Sequence, residues 1–103
     1  MPAQTETTPV INIAVLKARP GQRVALAAAL IELVAPTRDE QGCLDYTLFE
    51  LADEPGTFYM RESFADQGAF QAHIATPHFK AFQRRFDELL GAPLRLIGLR
   101  KLA

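Results

Sequence analysis

The chain is poor in the residues that most often announce chemistry. It holds one cysteine, no tryptophan and a single serine, Ser63. A lone Cys43 cannot close an internal disulfide, which points to a reducing compartment. One serine leaves no choice of nucleophile for a serine triad. A glycine-rich phosphate loop, a cysteine pair and an HExxH motif are all absent. Excess charge of one sign is missing too. Eleven Lys and Arg stand against twelve Asp and Glu, a net charge of −1, so there is no basic face for nucleic acid. The longest apolar run, residues 24–31, falls well short of the roughly 20 residues that span a membrane. Residues 1–9 are polar, carry no Lys or Arg, and read as a loose tail, not as a signal peptide. These absences predict a cytoplasmic protein with neither a nucleic-acid nor a membrane partner.

What remains is 103 residues, 49% hydrophobic and 22% charged. That is enough for one core and too apolar for disorder. A single domain is expected over residues 10–103. Val10–Lys17 is rich in β-branched residues and reads as a strand. Residues 22–34 are Ala- and Leu-rich, with Val24, Ala27, Ala28, Ile31 and Val34 at helical spacing. Pro36 is expected to kink or restart this helix, and Gly42 to close it. Residues 43–51 and Thr57–Phe64 read as two strands joined by the Asp53-Glu54-Pro55-Gly56 turn. Asp66 is a candidate N-cap for a helix to about Ala75. Thr76-Pro77 is a second cap, opening a helix to about Leu90 with a stripe of Phe79, Phe82, Phe86, Leu89 and Leu90. Residues 94–102 read as the last strand.

The order β-α-β-β-α-β is that of a ferredoxin-like α+β sandwich, with both helices on one face of an antiparallel sheet. A half-covered sheet alternates apolar and polar residues. These strands do not. Ile11, Ile13 and Val15 oppose Val10, Ala14 and Leu16; Leu44, Tyr46 and Leu48 oppose Cys43, Phe49 and Leu51. Leu94, Leu96 and Leu102 sit beside Ile97 and Leu99 in the last strand. A second copy of the sheet is the simplest cover for the free face, so a homodimer is expected.

Polar residues on apolar faces are the candidates for chemistry. His73 shares a helix side with Phe70 and Ile74, so it should point inward, where its pKa range suits proton transfer. A hydrogen-bonded core histidine is the bland alternative. Its neighbour in sequence, His78, lies five residues on, off the four-residue spacing that stacks two metal ligands, and no metal is expected. Glu62 shares a strand face with Phe58, Met60 and Phe64. Its carboxyl must be paired, hydrogen-bonded or protonated there. It could pair with an arginine such as Arg95, or orient His73. Asn12 interrupts the first strand and, with strands one and three adjacent, can approach Glu62. Tyr46 offers a phenol. Every aromatic residue lies from Tyr46 onward, facing an Ala-rich first helix. That contrast leaves room for a flat apolar ligand, although ordinary core filling explains any single ring as well.

Gly42-Cys43-x-x-Tyr46, then Phe58 to Phe64 (FYMRESF), then Ala72-His73-Ile74-Ala75-Thr76-Pro77-His78-Phe79 together resemble the antibiotic biosynthesis monooxygenase family over residues 10–102. The resemblance implies a dimeric α+β barrel with a pocket between helices and sheet in each subunit. It implies an oxygenase acting on a quinol- or polyphenol-like aromatic with dioxygen, without metal or flavin. Catalytic roles then fall to His73 as base, Glu62 as its support and Asn12 with Tyr46 at the oxyanion. Phe64, Phe79 and Phe82 become walls. Relatives in the same family degrade haem or process a phosphorylated signalling sugar. Phe64 stands where the haem-degrading branch carries tryptophan, and Gln83 where that branch carries its histidine, which lowers the haem reading. An isomerase or lyase acting on a small phosphorylated sugar-like compound, and a non-catalytic ligand-binding or stress protein, remain alternatives.

Overall fold

A computed structural model describes residues 8–103; most of the expected tail, residues 1–7, lies outside the described residues. The order is β1 (Val10–Lys17), α1 (Arg23–Arg38), β2 (Cys43–Glu50), β3 (Thr57–Phe64), α2 (Gln67–Ile74), α3 (Pro77–Gln83), α4 (Phe86–Leu89) and β4 (Arg95–Leu99). The four strands form one antiparallel sheet in the order β2-β3-β1-β4. This is the ferredoxin-like α+β architecture. No described helix is long and apolar enough to cross a membrane.

Local chemistry sets the element ends. The Asp66 side chain accepts from Ala69 N at 2.8 Å, capping α2. The Thr76 hydroxyl accepts from Phe79 N at 3.1 Å with Pro77 at the first turn, opening α3. The single long helix expected after Pro77 is instead α3 and α4, broken around Arg84 and Arg85. Pro36 does not interrupt α1, which runs through it to Arg38. It stands in the last turn, and the carbonyl it cannot pair with belongs to Glu32, on the exposed side.

The helices cover the sheet face that carries Ala14, Leu16, Tyr46, Phe58, Met60, Glu62 and Phe64, all buried. Two expectations about facing are overturned. The buried side of α1 is Leu26, Ala29, Leu30, Leu33 and Thr37, while Val24 and Ile31 are 79% and 62% exposed. This helix is apolar on most of its circumference, so spacing alone offers two stripes, and the bulkier leucines occupy the core. In β2, the register shifts between Cys43 and Asp45. The irregularity turns Leu44 out, 60% exposed, rather than in beside Tyr46.

The other sheet face carries three rows. Phe49, Tyr59, Val15 and Arg95 form one; Thr47, Arg61, Ile13 and Ile97 the next; Asp45, Ser63, Ile11 and Leu99 the third. Arg61 binds Asp45 at 2.7 Å and lies 5.4 Å over the Phe49 ring. None of the described helices packs there.

Gly42 is where α2 crosses closest to the turn after α1. A Cβ added at Gly42 would lie 2.3 Å from Ala69 Cβ, and neither atom can swing aside. Gly42→Ala is therefore expected to destabilise the fold by about 1–3 kcal/mol, read as a lower urea midpoint. Adding Ala69→Gly should recover most of the loss; a single variant as stable as the parent contradicts this packing.

Candidate functional site

The site is built from the core face of the sheet upward. Asn12, Glu62 and Tyr46 occupy one row across β1, β3 and β2. Asn12 Nδ2 donates to Glu62 Oε2 at 3.0 Å, with both side chains buried. Glu62 thus takes an amide partner, not Arg95 or another arginine. Burial pushes the Glu62 carboxyl above its ordinary range; Asn12 works against that shift and the nearby Glu40 adds to it. Burial likewise pushes the Tyr46 phenol up, helped by the charge on Glu62.

Above this row sits His73, in the last turn of α2 and 1% exposed. Phe64 backs its ring at 4.9 Å between centroids, with Phe79 at 5.2 Å and Tyr46 at 5.5 Å. Nδ1 donates to Glu40 Oε2 at 2.9 Å. The partner of His73 is therefore Glu40, in the connection between α1 and β2, and not Glu62. His78, at the start of α3, donates from Nε2 to the same Glu40 oxygen at 2.6 Å. The five-residue spacing of the histidines had placed them apart. They meet because α2 ends at Ile74 and α3 begins a new axis at Pro77.

A carboxylate only accepts, so the shared bond puts the His73 proton on Nδ1 and leaves Nε2 with its lone pair. That Nε2 is buried without a partner. Burial lowers the His73 pKa below its ordinary value, Glu40 resists the shift, and His78 reinforces it.

His73 and Glu62 both line a cavity of about 100 Å³ between sheet and helices, together with Tyr46, Met60, Phe79 and Phe82. Its walls include no Lys or Arg. Past Leu94 and Leu96 it adjoins a wider groove of about 630 Å³ lined by Phe70, Ile74, Phe79 and Phe86. Of the residues singled out from sequence, Tyr46, Glu62, His73, Phe79 and Phe82 are brought to the cavity. Asn12 stands behind Glu62, and Phe64 behind the imidazole; neither is among the lining residues. Glu40 was missed. The signal for it was an acidic residue just beyond a helix C-terminus, where the helix dipole disfavours negative charge unless a partner holds it.

Comparison with known proteins agrees with the fold. The family model described as "Antibiotic biosynthesis monooxygenase" matches residues 9–85. The chain is 36% identical over 96 residues to "Putative monooxygenase Rv0793" of Mycobacterium tuberculosis, covering 93% of this chain and 94% of that protein. It is 37% identical over 88 residues to "Putative monooxygenase YcnE" of Bacillus subtilis, covering 85% and 93%. Among solved structures, PA3566 from Pseudomonas aeruginosa superposes with a TM-score of 0.90 at 38% identity, covering 97% of this chain and all of that one. The Rv0793 structure gives 0.87 at 35%, covering 93% and 97%.

The two buried acids and bases predict opposite pH trends. His73 is held neutral, so its contribution is complete above its ordinary value of 6.5 and is lost as pH falls from there toward its lowered folded value. Glu62 has a raised value, so its contribution is complete below 4.5 and is lost as pH rises through that raised value. In urea unfolding from pH 8 to pH 5, the stability of His73→Phe relative to the parent should rise as the pH falls. Glu62→Gln should be more stable than the parent at neutral pH. A variant with the parent's slope, or a less stable glutamine variant, contradicts these assignments.

Proposed function

The chain belongs to the antibiotic biosynthesis monooxygenase family, and from that premise we propose that it inserts oxygen from dioxygen into a small quinol- or phenol-like aromatic bound in the cavity beside His73. The observation that carries the reading is the buried His73 Nε2, left as an unpaired acceptor at a mostly apolar cavity because Glu40 holds the other nitrogen.

Dioxygen reacts slowly with closed-shell molecules, and an electron-rich phenolate can itself act as the reductant. In the proposed sequence a substrate O–H gives its proton to His73 Nε2. The imidazolium formed is stabilised by Glu40, as a carboxylate stabilises the histidine of a hydrolytic triad. The phenolate then reduces dioxygen. One oxygen atom enters the ring and the other leaves as water, so that a quinol and O₂ give a hydroxyquinone and H₂O with the substrate supplying all four electrons. Tyr46 and Glu62 face the same space and would bind substrate oxygens; Asn12 holds Glu62 in place. Phe79 and Phe82 would bracket the ring. The small cavity suits a single-ring core, with any extension lying in the groove beyond Leu96. Walls without an arginine or lysine favour this class over a phosphorylated sugar, which calls for such a clamp.

The apolar rows on the open sheet face support a homodimer in which two such faces cover each other. Light scattering at micromolar concentration is expected to give about twice the 11.4 kDa chain mass, and Ile13→Glu, at the centre of that face, about one chain mass. A monomeric parent would refute the dimer.

Oxygen uptake with a panel of hydroquinones tests the activity. His73→Phe is expected to lower kcat about 100- to 10,000-fold, and turnover should stop under anaerobic conditions. Turnover that persists without dioxygen, or survives His73→Phe within a few-fold, would sink the oxygenase reading.

A further inference from the structure

We propose that Glu40, His73 and His78 form a site for one divalent first-row transition ion such as Zn²⁺, and that occupancy turns His73 from a proton acceptor into a donor at the cavity. Three segments converge there: the α1–β2 connection, the last turn of α2 and the first turn of α3. One ligand atom from each residue lies within 4.8 Å of the others. Both imidazoles aim a ring nitrogen at the same carboxylate oxygen, at 2.9 and 2.6 Å. Both rings therefore face the point that this oxygen occupies. An ion there needs nitrogens about 2.0–2.1 Å away and an oxygen at about 2.0–2.2 Å. The Glu40 oxygen must withdraw by roughly an ångström to admit it, and Glu40 stands in a loop, not in a helix or strand.

The donor set favours occupancy. Two imidazoles with one carboxylate suit zinc, cobalt, nickel or iron(II) better than magnesium or calcium. Among the described residues no lysine or arginine pairs with Glu40; its ionic partners are the two histidines. A dication would compensate a carboxylate whose side-chain partners are two imidazoles. The His78 side chain is 25% exposed, which gives the ion an entry and leaves room for water in its remaining positions.

The effect on His73 follows from tautomer chemistry. With Glu40 alone, Nδ1 carries the proton and Nε2 is a lone pair. An ion on Nδ1 takes that lone pair, so the proton of the neutral ring moves to Nε2. The base required by the proposed oxygenase is then gone. That consequence rests on the oxygenase reading; the site itself does not.

The full chain, stripped of metal with a chelator, should be titrated with Zn²⁺ by calorimetry and with Co²⁺ by visible absorption. One ion per chain is expected. Glu40→Gln and His78→Gln, both of which retain a polar side chain and whose folding is checked by melting curves, are each expected to weaken binding at least about 100-fold. Cys43→Ser should bind as the parent does. No binding tighter than on the order of 100 μM, binding that survives both substitutions, or binding that is lost with Cys43 would overturn the site. Nitrogen-15 spectra of the histidines read the switch independently of turnover. Zn²⁺ should move the His73 proton from Nδ1 to Nε2, and a ring still protonated on Nδ1 at saturation would overturn the switch. Zinc inhibition of quinol turnover is expected as well. If no quinol is turned over while zinc binds as described, the oxygenase reading fails and the metal site stands.

Discussion

Everything in this core follows from the rule that a polar group taken out of water must find a partner. Asn12, Tyr46, Glu62 and His73 are enclosed by phenylalanine, leucine and methionine. Glu62 is tied to Asn12 across neighbouring strands, and His73 to Glu40 at the end of its helix. Among the described residues the exceptions are Thr37 Oγ1 and the second nitrogen of His73, and the latter, at the cavity, is the atom best placed to meet something from outside. An unsatisfied buried group costs stability, and the fold retains this one beside open space.

The same enclosure sets the chemistry. Low polarity keeps the imidazole neutral and so able to accept a proton near neutrality, while it pushes Glu62 and Tyr46 toward their protonated forms. A neutral base and two groups biased toward donating then surround one small volume. No single residue produces this division of roles. It arises because Glu40 restrains the shift of His73, while Glu62 has only a neutral amide to hold its charge.

Much of the architecture was legible from short-range signals. The first and third strands were bounded correctly by β-branched and aromatic runs, and Asp66 and Thr76-Pro77 mark caps whose hydrogen bonds the structure contains. Legibility ended where a choice depended on tertiary packing. Nothing in an Ala-rich helix distinguishes the side with Val24 and Ile31 from the side with Leu26, Leu30 and Leu33 until a sheet lies against it. The slip at Cys43 that turns Leu44 outward leaves no mark on an alternating pattern. The approach of Asn12 to Glu62 was readable, because adjacent antiparallel strands fix which residues lie opposite. Glu40 was not, because a loop residue thirty-three positions before His73 has no periodicity to betray its partner.

The two margins of the sheet differ in a way that matters for growth by strand addition. β2 is one outer strand, and its hydrogen-bonding line is broken by the slip between Cys43 and Asp45. An incoming extended peptide could keep step along Asp45–Glu50 but not past the slip into Cys43. β4, the other outer strand, spans five residues without such a break. A foreign chain that seeks to lengthen the sheet thus meets a short template on either flank, one cut off by the slip at Cys43 and the other limited to Arg95–Leu99, so neither margin offers a long, flat line for fibril-like stacking.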